Sequence, residues 1–296
     1  MKKILVPIDF SQQAKDALSV AQQLARKFHA TLSLVHVLEI PLPTIDVPLT
    51  ARDTLPMDYL RKAREGAEEQ MQTLVKRQRI KDVPVAYHVQ TGNPYRSIIN
   101  ELLKEKSVDL VVMGSKGTSG DKEILVGSNA ERMVRFARCP VLVVKGKVKI
   151  EQIKNIVFAT TLREYDNEPM KELKALQQMF GAHLHLLRVN TLSNFLEDPF
   201  VRQRLRELAK THHLKNYTVH TYSDLEEEEG IIHFAQEVDA DLIALTTRWR
   251  HGLAHLFSGS VAEDVANHTK LPVWTLSLRH TTKNQNGRAS KVLTHS

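Results

Sequence analysis

The chain carries one pattern of residues twice, and this repeat limits its architecture more than any other feature. KKILVPIDF (2–10) is echoed by KNIVFATTL (154–162), and HATLSLVHV (29–37) by GAHLHLLRV (181–189), both at an offset of 152. Further on, VDLVVM (108–113) matches ADLIAL (240–245), GSNAERM (127–133) matches GSVAEDV (259–265), and CPVLVV (139–144) matches LPVWTL (271–276). These three share an offset of 132, so the second unit has lost about 20 residues in its middle. The first unit holds IPLPTIDVPLTARDTLP (40–56) there, whose prolines read as a loop or flap. Two domains are expected, 1–147 and 151–279. Residues 280–296 are polar without an apolar period and read as a disordered tail.

Within the first unit, short apolar runs alternate with helical periods. Ile4-Leu5-Val6-Pro7-Ile8 is nearly all apolar, as a strand buried on both faces should be. Ser11 can cap the next helix, where Ala14, Leu18, Ala21, Ala25 and Phe28 keep the helical period. Further strands are expected at 32–37, 85–89, 110–113 and 141–144. Helices are expected at 58–79 and 95–105, with another from Ser128, where Ser128-x-x-Glu131 reads as a capping box. Strands alternating with helices imply an α/β fold of right-handed parallel βαβ units, a doubly wound sheet in each domain.

Composition narrows the function classes. A single cysteine, Cys139, excludes an internal disulfide framework and a cysteine-based zinc site, and fits a reducing cytoplasm. No apolar run approaches the roughly 18 residues that span a bilayer. The start, MKKILVPIDFSQQ, is cut off by Asp9 and reads as a strand, not a signal peptide. The net charge of +7 is uneven: residues 1–150 carry 24 Lys+Arg against 16 Asp+Glu, and residues 151–296 carry 17 against 18. Four of the 12 glycines, Gly114, Gly117, Gly120 and Gly127, lie within 14 residues of that basic half. Together they point to a phosphate-bearing partner.

In doubly wound sheets ligands bind beyond the carboxyl ends of the strands, where strand order reverses. Asp9, Val37 and Gly114-Ser115-Lys116-Gly117 all fall there, and Gly127-Ser128 opens a helix nine residues later. Glycines let main-chain N–H groups approach phosphate oxygens, and a helix N-terminus adds unpaired donors and partial positive charge. Asp9 suits ribose hydroxyls, and Pro7, Val37 and Met113 form an apolar slot for a base. Asp9 could equally be a turn residue before Ser11, and the glycines a plain connection. No Gly-Lys-Ser/Thr follows, so this is not a Walker loop.

Gly114-x-x-Gly117, nine residues and Gly127-Ser128, with VPIDFS around Asp9 and HVLE after the second strand, resemble the universal stress protein family. The resemblance covers two tandem units, all but the tail. It implies a five-stranded parallel sheet of order 3-2-1-4-5 in each domain and ATP as ligand, with Mg²⁺ as a possible companion. By that resemblance Asp9 contacts ribose or base, Val37 and Met113 flank adenine, and Pro7 and Ile8 belong to the same nucleotide site. Gly114, Gly117, Gly127, Ser128 and Asn129 hold the phosphates. It also implies that the units pack through their fifth strands, like the homodimers of single-domain relatives. The second unit departs from the pattern: Thr161, Thr246 and Trp249 replace Asp9, Gly114 and Gly117, while Gly252, Gly259 and Ser260 remain. One nucleotide site, in the first domain, is therefore expected.

Other features read as structural. Of 14 histidines, 11 lie in residues 151–296, but no dense zinc spacing appears, so surface or packing roles are expected. Glu226–Glu229 precede a helical pattern, where their charge complements the helix dipole. Lys145, Lys147 and Lys149 read as a linker, and no nucleic-acid motif is evident. The leading reading is a cytoplasmic ATP-binding regulator of a stress response, a binding module without an evident general base. A further homodimer is compatible with it. The rivals are a slow nucleotide hydrolase and a nucleotide-free interaction protein.

Overall fold

The computed structural model describes residues 1–39, 57–77, 80, 82–104, 108–115, 128–137, 139–162, 167–248 and 261–278. The flap at 40–56, the tail, Lys116, Gly117, Gly120, Gly127, Trp249, Gly252, Gly259 and Ser260 lie outside them. In the first half the order is β1 (Lys3–Ile8), α1 (Gln12–Phe28), β2 (Thr31–Leu38), α2 (Met57–Arg77), β3 (Val85–Thr91), α3 (Pro94–Lys104), β4 (Leu110–Gly114), α4 (Ser128–Phe136) and β5 (Val141–Val144). The second half runs β6 (Asn155–Ala159), α5 (Asn167–Phe180), β7 (His183–Asn190), α6 (Asp198–Thr211), β8 (Tyr217–Ser223), α7 (Glu227–Glu237), β9 (Leu242–Arg248), α8 (Val261–His268) and β10 (Val273–Leu278). Ser11 caps α1 as its position implies, its hydroxyl accepting the Ala14 N–H at 3.1 Å.

All ten strands form one sheet, ordered β3-β2-β1-β4-β5-β10-β9-β6-β7-β8. Each half follows the order 3-2-1-4-5 with parallel neighbours, and the fifth strands meet antiparallel. Strand faces alternate, so each strand feeds two cores. One packs under α1, α2, α5 and α6 and includes Leu18, Met71, Leu142, Phe158, Leu205 and Trp274. The other packs under α3, α4, α7 and α8 and includes Val111, Met133, Leu187, Phe234 and Val265. Both cores run unbroken through the two halves.

The join is centred on corresponding residues. Trp274 pairs with Leu142, its own counterpart at the 132 offset, with Val273 opposite Val143 and Thr275 opposite Val141. This is the isologous geometry of a twofold dimer, realised within one chain. The helices above repeat it. Arg135 of α4 forks onto Glu263 of α8, its Nε donating at 2.7 Å. In the reciprocal position Asn267 donates to Glu131 at 3.4 Å. Glu263 therefore serves the join. Lys27 of α1 likewise reaches the carbonyl of Met179, its counterpart on α5, at 2.7 Å. The basic stretch after β5 is also no loose tether. Lys145 Nζ donates to the Ala266 carbonyl, and Gln23 bonds both the Val148 carbonyl and the Ile150 N–H. Arg135→Ala is expected to cost about 2 kcal/mol, because Glu263 is 7% exposed and loses its fork while Arg135 is 36% exposed. A chemical-denaturation midpoint indistinguishable from the parent would refute this.

The repeat extends to single main-chain bonds. Asp109 Oδ2 accepts the N–H groups of Lys2 and Lys3, and Asp241 Oδ2 those of Lys154 and Asn155. Each clamps the start of its unit's first strand to the fourth. Phe10 and Leu162, counterparts after the first strands, both take left-handed φ angles, of 64° and 58°. So do His29 and Gly181, after the first helices, at 54° and 63°.

Candidate functional site

Strand order reverses between β1 and β4, and there the ladder between the two strands is short. β1 pairs with β2 over six positions, Lys3 to Ile8, but with β4 only at Ile4 and Leu5. The cause is Pro7. The Lys3 carbonyl accepts from Asp109 and the Lys2 carbonyl from Thr31, so odd-numbered residues of β1 present their main chain to β4. Proline has no N–H to give on that side. In the second half Ala159 takes the corresponding place, and β6 pairs with β9 over four positions, through Ala159 and Leu245. The first and fourth strands thus share two ladder positions in one half and four in the other.

Pro7, Val37 and Met113 share the face of the sheet that carries Leu5, Val35 and Val111, where that ladder ends. Pro7 and Val37 are half-buried, while Met113 is buried. Tyr95, Ile98 and Ile99 of α3 pack into the same layer, and Arg132 of α4 lies over the Tyr95 ring at 5.8 Å. Tyr95 was not singled out by the sequence, whose only signal was its place after Asn93-Pro94. In the second half Val189, the counterpart of Val37, is 3% exposed. Gly230 brings α7 against it so closely that a Cβ would lie 2.6 Å from Val189 Cγ1.

Ile8 requires a correction. It points to the opposite face, is 3% exposed, and belongs to the core under α1. Alternation makes this unavoidable once Pro7 faces the slot, so only the main chain of Ile8 is available there. Asp9 stands half-buried at the strand end, where its Oδ1 accepts the Ser11 N–H at 3.0 Å. It is therefore a turn residue, and its carboxylate keeps further acceptor capacity for a ligand. The second half secures the same turn through Thr160 Oγ1 and the Leu162 N–H, at 3.2 Å, leaving Thr161 exposed. The left-handed Phe10, whose ring lies 4.5 Å from that of His36, belongs to the fold and not to a site, since Leu162 shares its conformation.

Gly114 ends β4 against the first turn of α1. A Cβ there would lie 2.7 Å from the carbonyl carbon of Gln13 and 2.9 Å from its oxygen, so packing alone demands glycine. Ser128 and Asn129 open α4, placing its unpaired N–H groups beside the other phosphate candidates in sequence. Among the described residues no group of three or more His, Cys, Asp or Glu is arranged to hold a metal ion. No helix there is long and apolar enough to cross a membrane.

Comparison with known proteins places the chain by family. The model of the universal stress protein family matches the chain twice, over residues 1–145 and 152–277. A universal stress protein of Methanocaldococcus jannaschii is 33% identical over 144 residues, 49% of this chain and 82% of that protein. YxiE, a universal stress protein of Bacillus subtilis, is 32% identical over 147 residues, 48% of this chain and 98% of its own length. Among solved structures, a universal stress protein from Archaeoglobus fulgidus superposes with a TM-score of 0.69 at 20% identity, covering 93% of this chain and 98% of that one. The fold is therefore shared over nearly the whole length. Matched in both halves, the chain belongs to the universal stress protein family.

Proposed function

We propose that the chain binds ATP at one site, in a first domain of residues 1–147, and acts as a cytoplasmic regulator and not as a fast enzyme. The carrying observation is the contrast at Pro7: β1 and β4 pair over two positions beside a half-buried Val37 in the first half, whereas β6 and β9 pair over four beside a buried Val189 in the second. Adenine would lie in the slot, ribose against Asp9, and the phosphates along the glycine segment toward Gly127, Ser128 and Asn129. Those glycines suit close main-chain approach, and the start of α4 suits negative charge. Mg²⁺ would arrive on the phosphates and not in a cage of its own, as is usual for that ion. The second domain, 151–279, serves as a structural partner. Binding would bias which surface around residues 40–56 meets other proteins, the logic of a ligand that prefers one of two states.

Two measurements test this. Denaturing protein purified without added nucleotide should release an adenine nucleotide, and calorimetry should give one ATP per chain. Asp9→Ala should weaken that binding tenfold or more, about 1.4 kcal/mol. Two equivalent sites, or ATP affinity unchanged by Asp9→Ala, would remove the proposal. Rapid ATP turnover lost with Asp9→Ala would instead make the chain an enzyme.

A further inference from the structure

Three histidines meet on the outer strands of the second half. His183 and His185 of β7 and His220 of β8 face the same side as Phe234 of α7, with ring centres 4.6 Å apart (His183–His185) and 5.4 Å apart (His185–His220). Three of their nitrogens converge on one hydroxyl. Thr218 Oγ1 lies 3.0 Å from His183 Nε2, 3.2 Å from His185 Nδ1 and 2.7 Å from His220 Nε2. His185 Nδ1 and His220 Nε2 also face each other at 3.4 Å, and His185 Nε2 is buried without a partner.

Hydrogen-bond counting fixes what this cluster tolerates. A hydroxyl donates one hydrogen, and a neutral imidazole carries one N–H. His185 avoids a buried, unanswered donor only by holding its hydrogen on Nδ1, toward Thr218 and His220. Thr218 Oγ1 then accepts that hydrogen and keeps capacity for the other two rings. A second proton on His185 would bury an N–H with no acceptor. Charging His220 as well would set two cations with nitrogens facing at 3.4 Å. Both changes work against the closed arrangement.

We propose that His185 and His220 form a proton-operated latch: charging them at mildly acid pH loosens β8 from β7 while the rest of the sheet stays closed. The release is local because, among the described residues, β8 is an edge strand paired only with β7. Its outer side is met by Arg202 of α6, which donates to the Val219 carbonyl at 3.2 Å. The surrounding charges mostly oppose protonation. His183 faces both rings and Arg202 acts on His220, while Glu237 of α7 favours a charged His220. Burial, followed by the neighbouring histidines, pulls His185 down to about 4, and burial also lowers His220. Below the ordinary imidazole range of about 6.5, the opened strand therefore binds protons that the closed one refuses, so acid favours opening. The first half lacks the device: Ser33 stands where His185 does, and only His88 matches His220.

Hydrogen exchange on the full chain tests this, with EDTA present throughout and rates corrected for intrinsic pH dependence. On going from pH 7.5 to 5.0, protection of residues 217–223 should fall at least tenfold relative to 85–91, the equivalent edge strand. His185→Ser, which copies the first half, should abolish the difference, as should His220→Gln if the serine variant is poorly folded. Equal responses of the two edges, or a response that survives in both variants, would overturn the latch. It does not depend on the nucleotide reading.

Discussion

Trp274→Ala is expected to lower the stability of the whole chain by about 3–5 kcal/mol, the range for emptying a large buried aromatic site. Trp274 is 2% exposed and stands on the axis of the join, opposite Leu142. Its indole lies in the core that runs beneath both halves, where Ile150, Ile153 and Phe158 are equally buried. The void would be shared, since neither half can collapse into it without moving the other's fifth strand. Both halves should therefore unfold in one transition, at a denaturant midpoint well below the parent's. A loss under about 1 kcal/mol would contradict this account of the join. So would separation of the second half's transition from an unchanged first half.

Gly114→Ala should cost about 3 kcal/mol even with no nucleotide present, the upper end for overpacking. The added carbon meets the backbone of Gln13 at 2.7 Å and 2.9 Å, not the end of a flexible side chain. Relief requires moving the first turn of α1, which holds the Ser11 cap and adjoins Asp9. Nucleotide affinity should fall as a consequence. Thermal and chemical unfolding of the apoprotein separate the two roles. Parent-like stability combined with weaker ATP binding would mean that Gly114 serves phosphate and not packing.

The fold was largely legible because its signals are local. Apolar runs such as Ile4–Ile8 and Leu110–Met113, the Ser11 cap and the two offsets all lie along the chain, and the strands follow them. What escaped depends on which neighbour a residue faces. Pro7 reads as one more apolar strand residue until the Lys3 carbonyl is seen to face β4. Ile8 looked like a site residue because it sits between two others, yet alternation sends it into the other core. Glu263 meets Arg135, 128 residues away, a pairing no local pattern announces. The histidines lacked metal spacing and were read singly; what unites them is Thr218 on the adjoining strand, beyond the reach of any spacing rule.

The self-matched pairing of Leu142 with Trp274 has a consequence for inheritance. In a dimer of identical chains every substitution at the axis appears twice, so a change must suit both partners at once. Joining the halves covalently removes that constraint, and Arg135 opposite Glu263 now coexists with Asn267 opposite Glu131. Fusion also makes the pairing unimolecular, so dilution does not part the halves. One half is thereby free to keep Pro7 and its short ladder while the other pairs through Ala159, a difference that a symmetric pair would be unable to evolve.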